Sequence, residues 1–215
     1  MAKVNGLFSS QPSGKVGNLV YSSWKGITYI RTKPEYINNP RTPAQVRTRS
    51  RFKTMSGLMS QVTDFLRVGF ASGAVRMSAY NAALSYNLKH ATESEGENFR
   101  ILFPKLKFSD GKYPGIDGAS VGRYDNAAIL VKWERSTGHG NDFVTIIIAD
   151  EDADRAFCYH AISQSKHKEA IIAASETTMG HTLHVYICVT AWDLRINLHA
   201  LPSVSSSIYA GSVVV

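Results

Sequence analysis

The chain is 215 residues long, 44 % hydrophobic and 10 % aromatic, with 24 Lys or Arg against 17 Asp or Glu and a formal charge of +7. That is enough apolar material for one large or two small cores, and no apolar run approaches the roughly 20 residues of a membrane-spanning helix. The charge is concentrated: residues 1–53 hold ten Lys or Arg and one acid, Glu35, which leaves 14 basic residues against 16 acids in the remainder.

The opening Met1-Ala2-Lys3-Val4-Asn5-Gly6 has no apolar run of the kind that heads a secretion signal, so the chain is expected to be made and kept in a cytosol, or assembled there. Residues 19–31 read as a β-hairpin. Leu19-Val20-Tyr21 and Ile27-Thr28-Tyr29-Ile30 are β-branched or aromatic, and Lys25-Gly26 supplies the turn. Pro34 and Pro40 then exclude regular helix, making residues 1–41 a basic hairpin arm with its linker.

Thr42, Pro43 and Gln45 form a helix-start signal, with an N-cap hydroxyl, proline at the first helical position and a capping-box partner. Phe52, Met55, Leu58, Met59, Val62, Phe65 and Leu66 follow at three-four spacing and predict one amphipathic helix to about residue 68. Its first turns carry Arg47 and Arg51 four apart, and Arg49 and Lys53 four apart. Cations at the positive end of a helix dipole call for a compensating anion. Met77, Tyr80, Leu84, Leu88 and Ala91 predict a second helix, so residues 42–98 read as a helical hairpin closed by the acidic stretch Thr92 to Asn98.

From residue 99 the pattern changes to short strands. Ala128 to Trp133, Phe143 to Ala149, Ala156 to Ser163, Ala170 to Ser175, Thr182 to Ala191 and Ile208 to Val215 are separated by turn residues, and Leu106-Lys107-Phe108 makes a seventh. Seven strands in residues 99–215 is the arithmetic of a β-sandwich. The fold class expected is α+β: a β-hairpin arm and helical hairpin, then a seven-stranded immunoglobulin or fibronectin III-like sandwich. Trp133 on an early strand and Tyr186 on a late one resemble the fibronectin type III pattern. Tyr186-Ile187-Cys188 also mimics the immunoglobulin Tyr-x-Cys, but Cys158 follows Trp133 and argues against that disulfide. Both cysteines are expected as buried free thiols.

Catalytic and metal motifs fail at identifiable positions. A phosphate loop around Gly14-Lys15 would need glycine where Ser9 stands and Ser or Thr where Val16 stands. Asp150, Asp152 and Asp154 have calcium-loop spacing, yet Arg155 replaces the required glycine and Ala161 the closing acid, which leaves a solvated acidic hairpin as the plain alternative. The histidines form no HExxH pair, no serine lies in a Gly-x-Ser-x-Gly elbow, and surface or cross-strand histidines are the default. The expectation is a non-enzyme with no cofactor and no metal.

Lys15, Lys25, Arg31, Arg41, Arg47, Arg49, Arg51 and Lys53 are the candidate cationic contacts, and Tyr21, Trp24 and Tyr29 the candidate aromatic anchors. Three readings stay open for them: a solvated face bonding the protein's own carbonyls, phosphates of a nucleic acid with bases stacked on the aromatics, and a subunit interface.

The order Gly14-Lys15-x-Gly17-Asn18-x-Val20, Trp24-Lys25-Gly26, Arg31-x-x-Pro34, Asn39-Pro40-Arg41-Thr42-Pro43-x-Gln45, Arg49 to Phe52 and a final Ser-x-x-Tyr209-x-Gly211 resembles an uncharacterised family found in Bacteroidota genomes and in their phages and prophages. The departure is Leu194-Arg195-Ile196-Asn197, where a polar Asp-Gly hairpin is expected. The resemblance implies a structural or assembly protein of a phage-type particle, in capsid or tail. Its partners would be other copies of itself, as a homo-oligomer, or other virion proteins. The alternative is a nucleic-acid-binding protein.

Overall fold

The computed structural model describes residues 2–3, 13–24, 26–36, 39–96, 98–125, 127–136, 138–191 and 203–215. Lys25 and Leu194 to Asn197, singled out above, lie outside them. The chain divides into two compact units, Met1–Thr42 and Pro43–Val215.

The first unit is a four-stranded antiparallel sheet of β1 (Ala2–Lys3), β2 (Gly14–Val16), β3 (Leu19–Trp24) and β4 (Ile27–Thr32), in the order β1-β4-β3-β2. The expected hairpin is its centre, with Trp24 opposite Ile27. Gly17 and Asn18 form a second two-residue turn between Val16 and Leu19. Gly17 has φ +57, a conformation that a side chain would strain. Gly17 therefore shapes a hairpin turn, and Gly14 opens β2 opposite Tyr21.

The second unit starts with three helices, α1 (Pro43–Ser60), α2 (Thr63–Gly69) and α3 (Ala79–His90). The single helix expected to residue 68 is interrupted at Gln61-Val62. Ser60 Oγ and Gln61 Nε2 both bond the Gly57 carbonyl, and Thr63 Oγ1 bonds that of Ser60, so side chains compete with the helical backbone there. Ser78 caps α3 by accepting the Asn81 N–H. The acidic stretch after it is no plain linker: β5 (Thr92–Glu95) and β6 (Asn98–Ile101) pair as a hairpin.

Beyond lie β7 (Ile116–Asp117), β8 (Ser120–Asp125), β9 (Ala128–Lys132), β10 (Arg135–Ser136), β11 (Phe143–Asp150), β12 (Arg155–Gln164), β13 (Glu169–Ala173), β14 (Thr182–Thr190) and β15 (Ile208–Val214). They form a four-stranded sheet β12-β11-β14-β15, a three-stranded sheet β13-β9-β8 and a small β10-β7 pair, all antiparallel.

One expected strand is corrected. Leu106-Lys107-Phe108 is not a strand, because its N–H groups are taken by side chains: Asn87 Oδ1 accepts from Lys107 and Ser207 Oγ from Phe108. Leu106 and Phe108 are buried against the helices instead. β8, unforeseen in the sequence, occupies the edge of the three-stranded sheet.

Two cores share the four-stranded sheet. Val144, Ile146 and Ile148 of β11 and Leu183, Val185, Ile187 and Val189 of β14 pack with Ile129, Val131 and Ile172 of the three-stranded sheet. On the other face Ile147, Ala149, Tyr186 and Cys188 pack with Met55, Met59, Phe65 and Leu66 of the helices. The period-two alternation of β11 and β14 thus serves both cores, which is why these strands read as unbroken apolar runs. The core also crosses residue 98, where the sequence placed a boundary.

Trp133 and Tyr186 do not meet. Trp133 lies in the inter-sheet core, its Nε1 donating to the Ser165 carbonyl at 2.8 Å, whereas Tyr186 faces the helices and donates to the Phe103 carbonyl at 2.6 Å.

Candidate interaction surface

Cross-strand register assigns the arm's side chains to two faces. Lys15, Val20 and Arg31 stand abreast on β2, β3 and β4, and the same face carries the pairs Ser22 with Tyr29 and Trp24 with Ile27. The opposite face carries Val16, Leu19, Tyr21 and Ile30. The structure therefore joins Lys15, Trp24, Tyr29 and Arg31 in one surface and places Tyr21 on the other. Arg41 is exposed in the linker.

No described residue between 13 and 54 is buried. Trp24 is 53 % exposed, and on α1 Val46 and Phe52 are 49 % and 51 % exposed. The first turns of α1 hold no acid, and the first buried residue among those described is Met55. Arg47 Nη1 donates to the Gly96 carbonyl at 3.1 Å, so this cation serves its own unit. Arg49 and Lys53 are exposed and Arg51 is half-buried. Beside them a groove of about 880 Å³ runs between Pro43, Val46, Arg47 and Ser50 of α1 and Glu95, Asn98 and Phe99 of the β5–β6 hairpin.

A second concave feature lies at the β11–β12 turn. Its cleft, about 490 Å³, has the segment Phe99 to Pro104 on one side and Glu151, Asp154 and His184 on the other. His184 is held by three groups: its ring stacks on Phe103 at 4.1 Å, Nε2 lies 3.0 Å from Glu151 Oε2, and Nδ1 lies 2.9 Å from the Tyr209 hydroxyl. The acidic run was visible in the sequence, but nothing in it signalled that His184, two strands' length away along the chain, would stand beside Glu151.

The same turn corrects the expectation of a solvated acidic hairpin. Asp150 is buried, with Oδ1 accepting the Asp152 and Ala153 N–H groups and Oδ2 lying 2.9 Å from His181 Nδ1. Asp152 Oδ2 in turn accepts the Thr182 N–H at 2.7 Å. Donor atoms of Asp150, Asp152 and His181 lie within 4.8 Å of one another, a spacing open to a metal ion. Their hydrogen bonds already close the turn onto the start of β14, which accounts for a buried carboxylate here.

Cys158 and Cys188 are free, the first partly and the second fully buried. Burial pushes the Cys188 thiol up to about 12 and raises that of Cys158 further, so neither supplies a thiolate at neutral pH. Among the described residues no helix is long and apolar enough to cross a membrane.

Comparison with curated proteins and with solved structures finds no match. A family model described as a family of unknown function, DUF6266, matches residues 11–209. That span takes in three of the four strands of the arm's sheet and nearly all of the second unit, and the chain belongs to this family.

Proposed function

We propose that the protein is a non-enzymatic structural or assembly component of a phage or phage-derived particle, in capsid or tail, docking to neighbouring subunits through its basic N-terminal portion. The observation that supports this most is the uncovered stretch 13–54. A four-stranded sheet with exposed aromatic and β-branched residues, followed by helical turns with four cations, leaves its apolar surface to water unless another molecule covers it. Trp, Tyr and Arg are the usual anchors of such contacts. The particle setting comes from the resemblance to a phage-associated family, and it implies a location in the virion or the host cytoplasm. Burial holds both thiols protonated at neutral pH, which removes them as thiolate nucleophiles.

We read the second unit's strands as an immunoglobulin or fibronectin III-like sandwich. Strands β8, β9 and β13 on one side and β11, β12, β14 and β15 on the other interleave along the chain as Greek-key connections require, over a common core. In that arrangement the sandwich is the body and the arm is the attachment.

Mass spectrometry of particles purified from a host carrying the gene tests the role. A structural component is recovered in many copies per particle, and its absence from clean particles would reject the proposal. The clustering of Lys15 and Arg31 with Trp24 and Tyr29 on one face also favours a second reading, single-stranded nucleic acid stacked on the aromatics. Binding to random DNA at two salt concentrations separates the two, because six to ten phosphate contacts lose roughly 10³ to 10⁵ in affinity between about 50 and 200 mM salt. Tight binding at low salt that disappears on charge reversal of Arg47, Arg49 and Arg51 would establish the nucleic-acid reading.

A further inference from the structure

We infer that the cleft beside the β11–β12 turn is the socket for the arm of a second copy of this chain, so that copies join head to tail. The inference rests on the docking role given to the arm above and adds the partner and the receiving residues.

The argument is one of matched chemistry. The cleft has an apolar floor, with Leu102, Phe103 and Pro104, and an acidic lip of Glu151 and Asp154. Both acids are exposed; one oxygen of Glu151 faces His184 Nε2 at 3.0 Å, and among the described residues no Lys or Arg forms an ion pair with either acid. Two cations are near: Arg155 follows the turn, and Arg100 on the opposite wall is held by Glu93 at 2.7 Å. The arm offers the complement on one face, Lys15 and Arg31 on a single rung and Trp24 further along.

The other acidic stretch is a poorer receiver. Glu93 is already paired with Arg100, and Glu95 lines the groove that holds Arg47. The cleft is shallow and open to solvent, as a surface that receives a protein segment must be, and a Trp side chain buries on the order of 150–250 Å² when covered. Exposed charges at the lip would steer and orient the arm while the indole supplies most of the hold.

A second copy is the occupant the charges favour, because one chain carries both halves. Residues 1–53 hold ten basic residues and one acid, while the remainder has 16 acids against 14 basic residues. Plug and socket are different patches of one molecule, so the contact is heterologous and generates a ring or an open filament.

Sedimentation velocity on the full chain at low and high salt is the test, with circular dichroism confirming that each variant folds. Wild type is expected to sediment as species larger than a monomer at low salt. Lys15→Glu with Arg31→Glu removes the plug. Glu151→Lys with Asp154→Asn removes the socket's charge; Asn is chosen because Asp154 has φ +50. Each variant is expected to weaken self-association at least tenfold, and Trp24→Ala to do so without changing the charge. Mixing the plugless and socketless variants restores one complementary pair and yields a dimer that does not extend. A socketless variant that still self-associates, or a mixture that stays monomeric, overturns the inference. So does a monomeric wild type: if it is nonetheless incorporated into particles, only the self-socket falls, and if it is absent from them the docking role falls as well.

Discussion

Asn87 shows how one polar side chain can decide a segment's structure. It is fully buried on α3; its amide donates to the Ala83 and Lys107 carbonyls and its oxygen accepts the Lys107 N–H. That clamp turns Leu106 to Phe108 away from strand pairing. Asn87→Ala leaves part-buried peptide groups of Lys107 without partners and is expected to lose about 1–3 kcal/mol in urea denaturation. A loss too small to measure would mean that burial of Leu106 and Phe108 holds the segment alone.

His160 is the residue with a legible pH signature. Burial holds its imidazole below the ordinary value, against the pull of the Asp64 carboxylate, and its ring packs on Phe65 at 5.8 Å. The unfolded chain takes up the proton at about pH 6.5, the folded one only at lower pH. The stability this group contributes is therefore present above pH 6.5 and is lost as pH falls through the folded value. Urea midpoints measured from pH 7 down to pH 5 are expected to fall more steeply for wild type than for His160→Gln. Parallel profiles would show that the imidazole titrates alike in both states.

At the scale of elements, what was legible in the sequence was local. Lys25-Gly26 between two β-branched runs predicted the β3–β4 hairpin, and three-four spacing predicted the helices, because turn chemistry and helical periodicity act over a few residues. β8 escaped because Ser120-Val121-Gly122-Arg123-Tyr124-Asp125 offers one apolar residue to the core and exposes the rest, as an edge strand does. The misread Leu106 to Phe108 is the converse: its apolar alternation is real, but partners 20 and 99 residues away in sequence, Asn87 and Ser207, decide its path. Of the arm's surface, residue types and positions were legible, whereas the separation of Tyr21 from Trp24 and Tyr29 required the register. The receiving cleft depends on Phe103, Glu151 and His184 from three separate segments and has no local signal.

Two helical glycines separate propensity from packing. Gly57 in α1 has open space where a Cβ would be, so Gly57→Ala is expected to stabilise by roughly 0.5–1 kcal/mol. At Gly69, near the end of α2, a Cβ would stand 2.5 Å from the Phe108 carbonyl oxygen, and its own carbonyl accepts the Asp110 N–H. Gly69→Ala is expected to destabilise by about 1–3 kcal/mol despite alanine's better helix propensity. Chemical denaturation of the two variants side by side checks both signs.

On the scale of the whole molecule, both cores lie within Pro43–Val215, and neither includes a described residue before Met55. A chain lacking residues 1–42 is therefore expected to keep the thermal midpoint of the full protein while losing the associations assigned to the arm. A large drop in the midpoint would show that the two units depend on each other for folding.

The partition formed by β11 and β14 has a calorimetric consequence. Each strand lends alternate side chains to the helical and the inter-sheet interiors, so freeing either set requires loosening the wall that holds the other. Heating the second unit should give one endotherm whose measured enthalpy equals the van't Hoff value, with helical and near-ultraviolet signals lost together. Displacing either strand by a single position would exchange the tenants of both interiors at once, placing Tyr186 among the close-packed aliphatic side chains that β11 and β14 now present to the inter-sheet side.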